Sequence, residues 1–304
     1  MYITAAGGLT LFLWAIHNLS DTLEHSATER TRIFISKATI SPWIGFLSGI
    51  FVTAILQSSS LTTVMLISLV KAKIVNLRQS LGVIIGANLG TTITAQLLSF
   101  NLHQFALPLF TFGFILQLLS NPKLTQTGKI IIYFSLLLLG FYYMVNSLGQ
   151  LTELSFFFNF LESGEDHLWK GILAGFLGTA VVQSSSVVMG IAIALAQKGE
   201  IELILAIALL IGAEIGTCVT SLIASIRADI MAKKVAYYHL IFNIVTLLLI
   251  MPCFDLFVDF VSFTSDKLPR QLANAQMFYN LWGAIWILPV IHLLTSKIRS
   301  SGKS

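Results

Sequence analysis

The sequence predicts an all-α membrane protein: two inverted repeats, two re-entrant hairpins and about seven spanning helices. Three observations lead there. First, 56% of the 304 residues are hydrophobic, only 11% are charged, and mean hydropathy is +0.84, whereas a soluble domain carries about a quarter charged residues. Second, Gln-Ser-Ser-Ser occurs twice, as Gln57-Ser58-Ser59-Ser60 and Gln183-Ser184-Ser185-Ser186, 126 residues apart. At the same offset Trp43 matches Trp169, Gly45 matches Gly171, Gly49 matches Gly175 and Thr53 matches Thr179. Gly86-Ala87, Gly90-Thr91 and Thr94 likewise match Gly212-Ala213, Gly216-Thr217 and Thr220, which marks an internal duplication. Third, each Gln-Ser-Ser-Ser interrupts an apolar run. Those runs approach the ~20 residues that carry a helix across a bilayer, so a helical bundle is expected rather than a barrel.

The same features exclude other classes. The net charge is +4, but the basic residues are scattered and form no stripe for nucleic acid. Cys218 and Cys253 have neither disulfide-framework nor metal spacing. The first apolar segment lacks a basic leader and a cleavage site, so it reads as a spanning helix.

Taken in chain order, hydropathy places the first helix at 4–23, followed by a polar linker at 24–40. An apolar stretch at 42–71 follows, with the first Gln-Ser-Ser-Ser at its middle. As one helix it would be about 45 Å long. Gln and three Ser compete with helix propagation by bonding to nearby backbone. Two half-helices meeting at a polar tip fit this stretch, and so does one tilted helix with a polar patch; recurrence of the break in the second repeat favours the first. Helices are expected at 77–98, 104–120 and 129–149, then a Phe-rich acidic loop, then the second broken stretch at 168–197. The last three helices are placed at 201–225, 234–252 and 272–296.

If each broken stretch enters and leaves on one side, the basic residues sort 14 to one face and four (Lys170, Lys198, Lys267, Arg270) to the other. The positive-inside rule makes the first face cytoplasmic, with the N-terminus outside and the C-terminus inside. Each repeat holds three spanning helices, an odd number, so the second repeat is inverted relative to the first. The expected units are 1–126, 127–252 and a final segment at 253–304. Inverted repeats with broken helices at mid-membrane are a recurrent transporter architecture.

The twin tips carry the chemistry. Hydroxyls and primary amides both donate and accept, so they suit an anion's oxygens and a hard cation alike. The half-helix after each break presents unpaired N–H groups and a positive dipole end, and the one before it presents carbonyls. The competing reading is that Ser and Thr only mediate close helix packing. The second repeated segment is Gly86-Ala87-Asn88-Leu89-Gly90-Thr91-Thr92 and Gly212-Ala213-Glu214-Ile215-Gly216-Thr217-Cys218. Thr91 and Thr94, like Thr217 and Thr220, are three apart and share a helix face. They complete an oxygen cage beside the tips or pack at a helix interface.

The duplicated Gln-Ser-Ser-Ser, each copy followed by a Gly-Ala-Asn-x-Gly-Thr-like helix, resembles the type II sodium/phosphate cotransporter family and its bacterial relatives. The resemblance covers residues 41–98 and 167–224, and His239-Leu240-Ile241-Phe242-Asn243 matches a further run of that family. It implies a secondary active transporter: Na+-coupled symport of inorganic phosphate into the cell by alternating access, multi-pass in a bacterial inner membrane, with no cofactor besides Na+ as coupling ion. Carried across, Gln57, Ser58, Ser59, Ser60, Ser185, Ser186 and Asn88 would bind phosphate. Gln183, Ser184, Thr217, Thr220 and Thr91 would hold Na+. The expected partners are phosphate, Na+ and lipid, not nucleic acid, and the sequence does not fix an oligomeric state.

Two departures stand out. The family's second Asn is Glu214 here, and a carboxylate at membrane depth is a functional suspect. It would add a cation ligand, bind a proton and change the coupling, or sit protonated away from the site. The sequence also ends about eight residues after its last expected helix, so the soluble regulatory domain of some relatives is not expected. No Lys or Arg falls near the tips, so neutral donors, helix ends and co-bound Na+ would hold the anion, and each ion would raise the other's affinity. His17 and His103 are expected to be interfacial or packing residues. A carrier of another oxyanion, driven by Na+ or protons, is the nearest alternative. An intramembrane serine enzyme is disfavoured, because neither tip has a matched His or Lys base or a Gly-x-Ser-x-Gly elbow.

Overall fold

The computed structural model describes residues 2–38, 41–100, 102–148 and 167–291. The acidic residues Glu153, Glu162, Glu165 and Asp166 and the basic residues Lys297, Arg299 and Lys303 lie outside that range. Within it the chain is helical throughout: α1 (Tyr2–Ala38), α2 (Pro42–Leu56), α3 (Ser59–Lys71), α4 (Leu77–Ser99), α5 (Ala106–Gln117) and α6 (Pro122–Leu148) come first. They are followed by α7 (His167–Val182), α8 (Ser185–Lys198), α9 (Leu203–Ser225), α10 (Ile230–Ile250), α11 (Phe254–Ser262) and α12 (Leu268–Ile287). Four described stretches are long and apolar enough to cross a membrane: Leu77–Ser99, Pro122–Asn146, Leu203–Ser225 and Ile230–Ser262.

Three expectations about helix limits are corrected. The linker at 24–40 is largely the second half of α1; it contains neither Gly nor Pro, and α2 opens on Pro42 behind Ser41, whose hydroxyl accepts from Ile44 N at 3.3 Å. The expected helix at 104–120 is a 3₁₀ turn over His103–Phe105 and the twelve-residue α5. The last helix starts earlier, at Leu268 with Pro269 in its first turn, and is interrupted after Ile287 by a turn at 288–290 that holds Pro289; residues 292–296 of the expected helix lie outside the described residues. Proline suits the first turn of a helix and disfavours helix in the residue before it.

Each Gln-Ser-Ser-Ser separates two helices, α2 from α3 and α7 from α8. Gln57 and Gln183 take positive φ, 56° and 57°, and their amides close the preceding helix on Thr53 O and Thr179 O at 2.7 Å. Non-glycine residues in this region are uncommon and cost of order 1 kcal/mol or more, a cost that recurs at functional sites.

Packing shows that each broken pair turns back on itself. Residues 42, 46 and 50 of α2 lie against 82, 86 and 90 of α4, so these two helices run parallel. The end of α3 connects to the start of α4 through 72–76, where Asn76 and Gln79 form a reciprocal capping box at 2.9 Å. The far end of α3 therefore returns beside the start of α2. In the second repeat, residues 172 and 176 of α7 lie against 212 and 216 of α9 in the same parallel way. The two hairpins open at opposite ends of α4. Hairpin α2–α3 opens near the start of α4, whereas Gln197, at the open end of α7–α8, donates to Leu98 O (3.4 Å) near its other end.

One repeat-related difference tests this pairing. Thr62 donates to Ser58 O (3.0 Å) and receives the Thr53 hydroxyl (2.9 Å). The residue that matches Thr62 is Val188, and Thr179 Oγ1 is buried without a hydrogen-bond partner. Val188→Thr is expected to raise stability by about 1 kcal/mol, the worth of one regained hydrogen bond, read as a higher melting temperature. An unchanged or lower value would mean that the two hairpins do not pack alike.

Candidate functional site

Both tips line one cavity of ≈ 580 Å³. Gln57, Ser58, Ser59 and Ser60 come from one hairpin, Gln183, Ser184, Ser185 and Ser186 from the other, and Thr91 and Thr220 from α4 and α9. Ser59 and Ser60 open α3, and Ser185 and Ser186 open α8. First-turn amides of a helix have no partner within it, so two sets of N–H groups and two positive dipole ends meet at the cavity. The hydroxyls of these four serines make no hydrogen bond among the described residues and are available to a ligand.

The two tips are not equivalent. Gln57 is held: its amide nitrogen donates to Ala54 O, and its Oε1 accepts from Thr94 Oγ1 at 2.6 Å. Ser58 Oγ is occupied as a cap, accepting from Leu61 N at 3.2 Å. In the second repeat the matching contacts are absent. Gln183 is exposed and makes no side-chain hydrogen bond among the described residues. Ser184 caps nothing with its side chain, and Thr220 Oγ1 is buried without a partner. The clasp Gln57–Thr94 is closed, and its counterpart Gln183–Thr220 stands open at the cavity.

Two residues expected at the site lie elsewhere. Asn88 is not on the cavity wall. Its Nδ2 donates to Asn243 Oδ1 (3.0 Å), and its Oδ1 faces His239 Nε2 (3.0 Å). Thr217 donates to Ala213 O (3.0 Å) within its own helix and is also off the wall. Thr91 likewise donates to a helix carbonyl, Ala87 O at 3.0 Å, but does face the cavity. Glu214 is buried away from the cavity and accepts from Gln276 Nε2 at 2.7 Å.

The sequence reading missed α1. His17, Ser20, Asp21 and Glu24 line the cavity, and His17 Nε2 lies 3.2 Å from Asp21 Oδ2. His17, expected to be interfacial or packing, is on the site wall. The signal was the i,i+4 spacing of His17 and Asp21 and of Ser20 and Glu24, which puts all four on one helix face. The wall runs along α1 to Glu24 and along α3 to Leu61 and Val64. Beyond these, Gln126 at the start of α6 reaches Ser26 Oγ (2.7 Å), and α3 ends at Lys71. Both directions lead to the face expected to hold most basic residues. The opposite end is tied, with Arg270 Nη1 donating to Gln96 Oε1 (2.7 Å) and Ser99 Oγ (2.8 Å).

An all-α membrane protein with a polar cavity between two broken-helix tips has the architecture of the inverted-repeat carriers. The chain belongs to the Na+/Pi-cotransporter family, whose profile matches residues 11–146 and 150–262. YqeW of Bacillus subtilis, a protein whose name assigns no function, is 29% identical over 84% of this chain and 83% of its own length. YjbB of Escherichia coli, whose name proposes it as an inorganic phosphate export protein, is 27% identical over 93% of this chain. That match covers 52% of YjbB, so the chain spans about half the length of this relative. The human sodium-dependent phosphate transport protein 2B is 32% identical over 30% of the chain and 14% of its own length. No solved structure matches the chain.

Proposed function

We propose that the chain is a secondary transporter that carries inorganic phosphate together with Na+ through the cavity between the two tips. The observation that carries this reading is the convergence of both Gln-Ser-Ser-Ser segments, from oppositely oriented hairpins, on one polar cavity. Phosphate sits among the hydroxyls and helix-end amides of Ser59, Ser60, Ser185 and Ser186. Na+ sits in the open clasp, on the oxygens of Gln183, Ser184 and Thr220, with Thr91 nearby. Asn88 and Thr217 act from behind the wall as supports.

Among the described residues the cavity lining contains neither Lys nor Arg, but it does contain Asp21 and Glu24. A desolvated phosphate without a counter-charge is costly in such surroundings, and the acidic wall attracts cations first. Na+ therefore enters before phosphate and lowers the cost of burying it, and by linkage phosphate tightens Na+. The repeats, 1–126 and 127–252, rock against each other to expose the site to alternate faces. On the orientation expected from the basic residues, the cavity wall leads toward the cytoplasmic face.

The test is radiolabelled phosphate uptake into proteoliposomes under an inward Na+ gradient, with K+ replacing Na+ in a parallel set. Uptake that requires Na+ is expected, and no phosphate uptake under the Na+ gradient would remove the Na+-coupled assignment. The names of the Escherichia coli relatives favour a second reading, phosphate export. Efflux from phosphate-loaded vesicles, compared with uptake at equal and opposite gradients, separates the two directions.

A further inference from the structure

Position three of each Gly-Ala-x motif, Asn88 and Glu214, faces an i,i+4 polar pair on a neighbouring helix. His239 and Asn243 of α10 hold Asn88, and Gln276 of α12 holds Glu214, while Asn280, one turn on, donates its Nδ2 to Gln276 O at 3.0 Å. The first clamp is neutral and its side chains are matched. Asn88 uses both ends of its amide, Asn243 Nδ2 also reaches His239 O (3.1 Å), and His239 Nδ1 faces Ser221 Oγ at 3.3 Å.

The second clamp is not matched. Glu214 is 4% exposed, and none of its described contacts is to a Lys, Arg or His. Its ionisable neighbours are Cys218 and Tyr279, neither of them a cation source, and the Tyr279 hydroxyl already donates to Asn243 O (3.4 Å). Gln276 Oε1 and Asn280 Oδ1 are buried, on residues 1% and 0% exposed, with no donor. Buried polar atoms nearly always have partners, and buried carboxylates are paired or bind metals. A carboxylate plus two uncommitted amide oxygens is a hard-cation ligand set.

We propose that Glu214, Gln276 and Asn280 form a second Na+ site, separate from the cavity and bridging α9 to α12. It deepens the transport reading above, since it assigns a further coupling ion, but it stands on its own oxygen set. Because Glu214, at the middle of α9, and the cavity residue Thr220, less than two turns further on, lie on the same helix, cation binding at Glu214 is transmitted along α9 to the clasp.

The experiment is equilibrium binding of 22Na+ to the purified full chain in nanodiscs, without phosphate. The variants are Glu214→Gln and Glu214→Asn, the latter installing the first repeat's residue, with Asn280→Leu as a variant that keeps the carboxylate. Melting curves confirm folding of each. Saturable binding is expected to fall by one Na+ per chain in both Glu214 variants, and the affinity at that site to fall at least tenfold in Asn280→Leu. Unchanged 22Na+ stoichiometry in a folded Glu214 variant would overturn the site. So would wild-type binding that protons abolish and Na+ does not saturate, the result if Glu214 holds a proton instead. The two readings fail separately. A Glu214-dependent Na+ site without Na+-driven uptake removes the transport reading alone, and Na+-driven uptake with intact 22Na+ binding in Glu214→Gln removes this site alone.

Discussion

Substituting Gly212 or Gly86 by valine is expected to leave no folded protein, and alanine at either position is expected to be severely destabilising. A Cβ at Gly212 would lie 1.9 Å from Ile172 O and 2.8 Å from Phe176 N; at Gly86 it would lie 1.9 Å from Phe46 O and 2.9 Å from Ile50 N. All four neighbours are backbone atoms. No rotamer change relieves the clash, so the helix pairs α7–α9 and α2–α4 would have to move apart. Ordinary overpacking costs about 1–3 kcal/mol. Here the displacement spreads along the whole helix pair, and a loss above about 4 kcal/mol is expected, a large part of a normal stability margin.

Gly7 supplies the control. It is exposed on α1, and a Cβ added there would meet nothing within 4 Å, so Gly7→Ala should be neutral or stabilising by roughly 0.5–1 kcal/mol. The readout is the monodisperse fraction on size exclusion together with the thermal midpoint. A Gly212→Ala protein that melts with the wild type would refute the close parallel packing on which the hairpin geometry rests.

How much of the fold and the site is legible in the sequence depends on the repeat. The offset of 126 residues marks the two tips and their partner segments, because a duplicated sequence exposes its own constraints. It cannot mark α1, which has no repeated motif, so the cavity face of that helix rests on spacing alone. Nor can it show that Asn88 is engaged by residues 151 and 155 positions away; such contacts follow from helix packing, not from local pattern. The unbroken run of α1 through 24–38 is hidden because polar composition reads as a linker, although those residues contain no helix breaker. The asymmetry of the tips is equally hidden. Gln57 and Thr94 have identical counterparts in Gln183 and Thr220, and only the relative placement of α9 and α7–α8 leaves the second clasp open.

That asymmetry gives the second large effect, a split between two chemically identical substitutions. Gln57→Ala removes the bonds to Ala54 and Thr94, each worth about 1 kcal/mol, and is expected to lower the melting temperature by roughly 5 °C. Gln183→Ala removes no hydrogen bond within the described residues, so its melting temperature should stay near the wild type. The left-handed backbone is common to both positions, φ 56° and 57°, so any strain from alanine there cancels in the comparison. Transport should show the other half of the split. If the Gln183 amide oxygen holds Na+ beside Thr220, its loss is expected to reduce Na+-driven phosphate uptake at least ~100-fold, about 2.7 kcal/mol, with the Na+ concentration for half-maximal uptake rising as well. Thr220→Val should reproduce that phenotype, because it deletes the other oxygen of the open clasp while keeping the side-chain shape. Equal thermal losses in Gln57→Ala and Gln183→Ala, or wild-type uptake in Gln183→Ala, would mean that the second clasp is a structural joint like the first, and Na+ would have to be sought on other oxygens of the cavity.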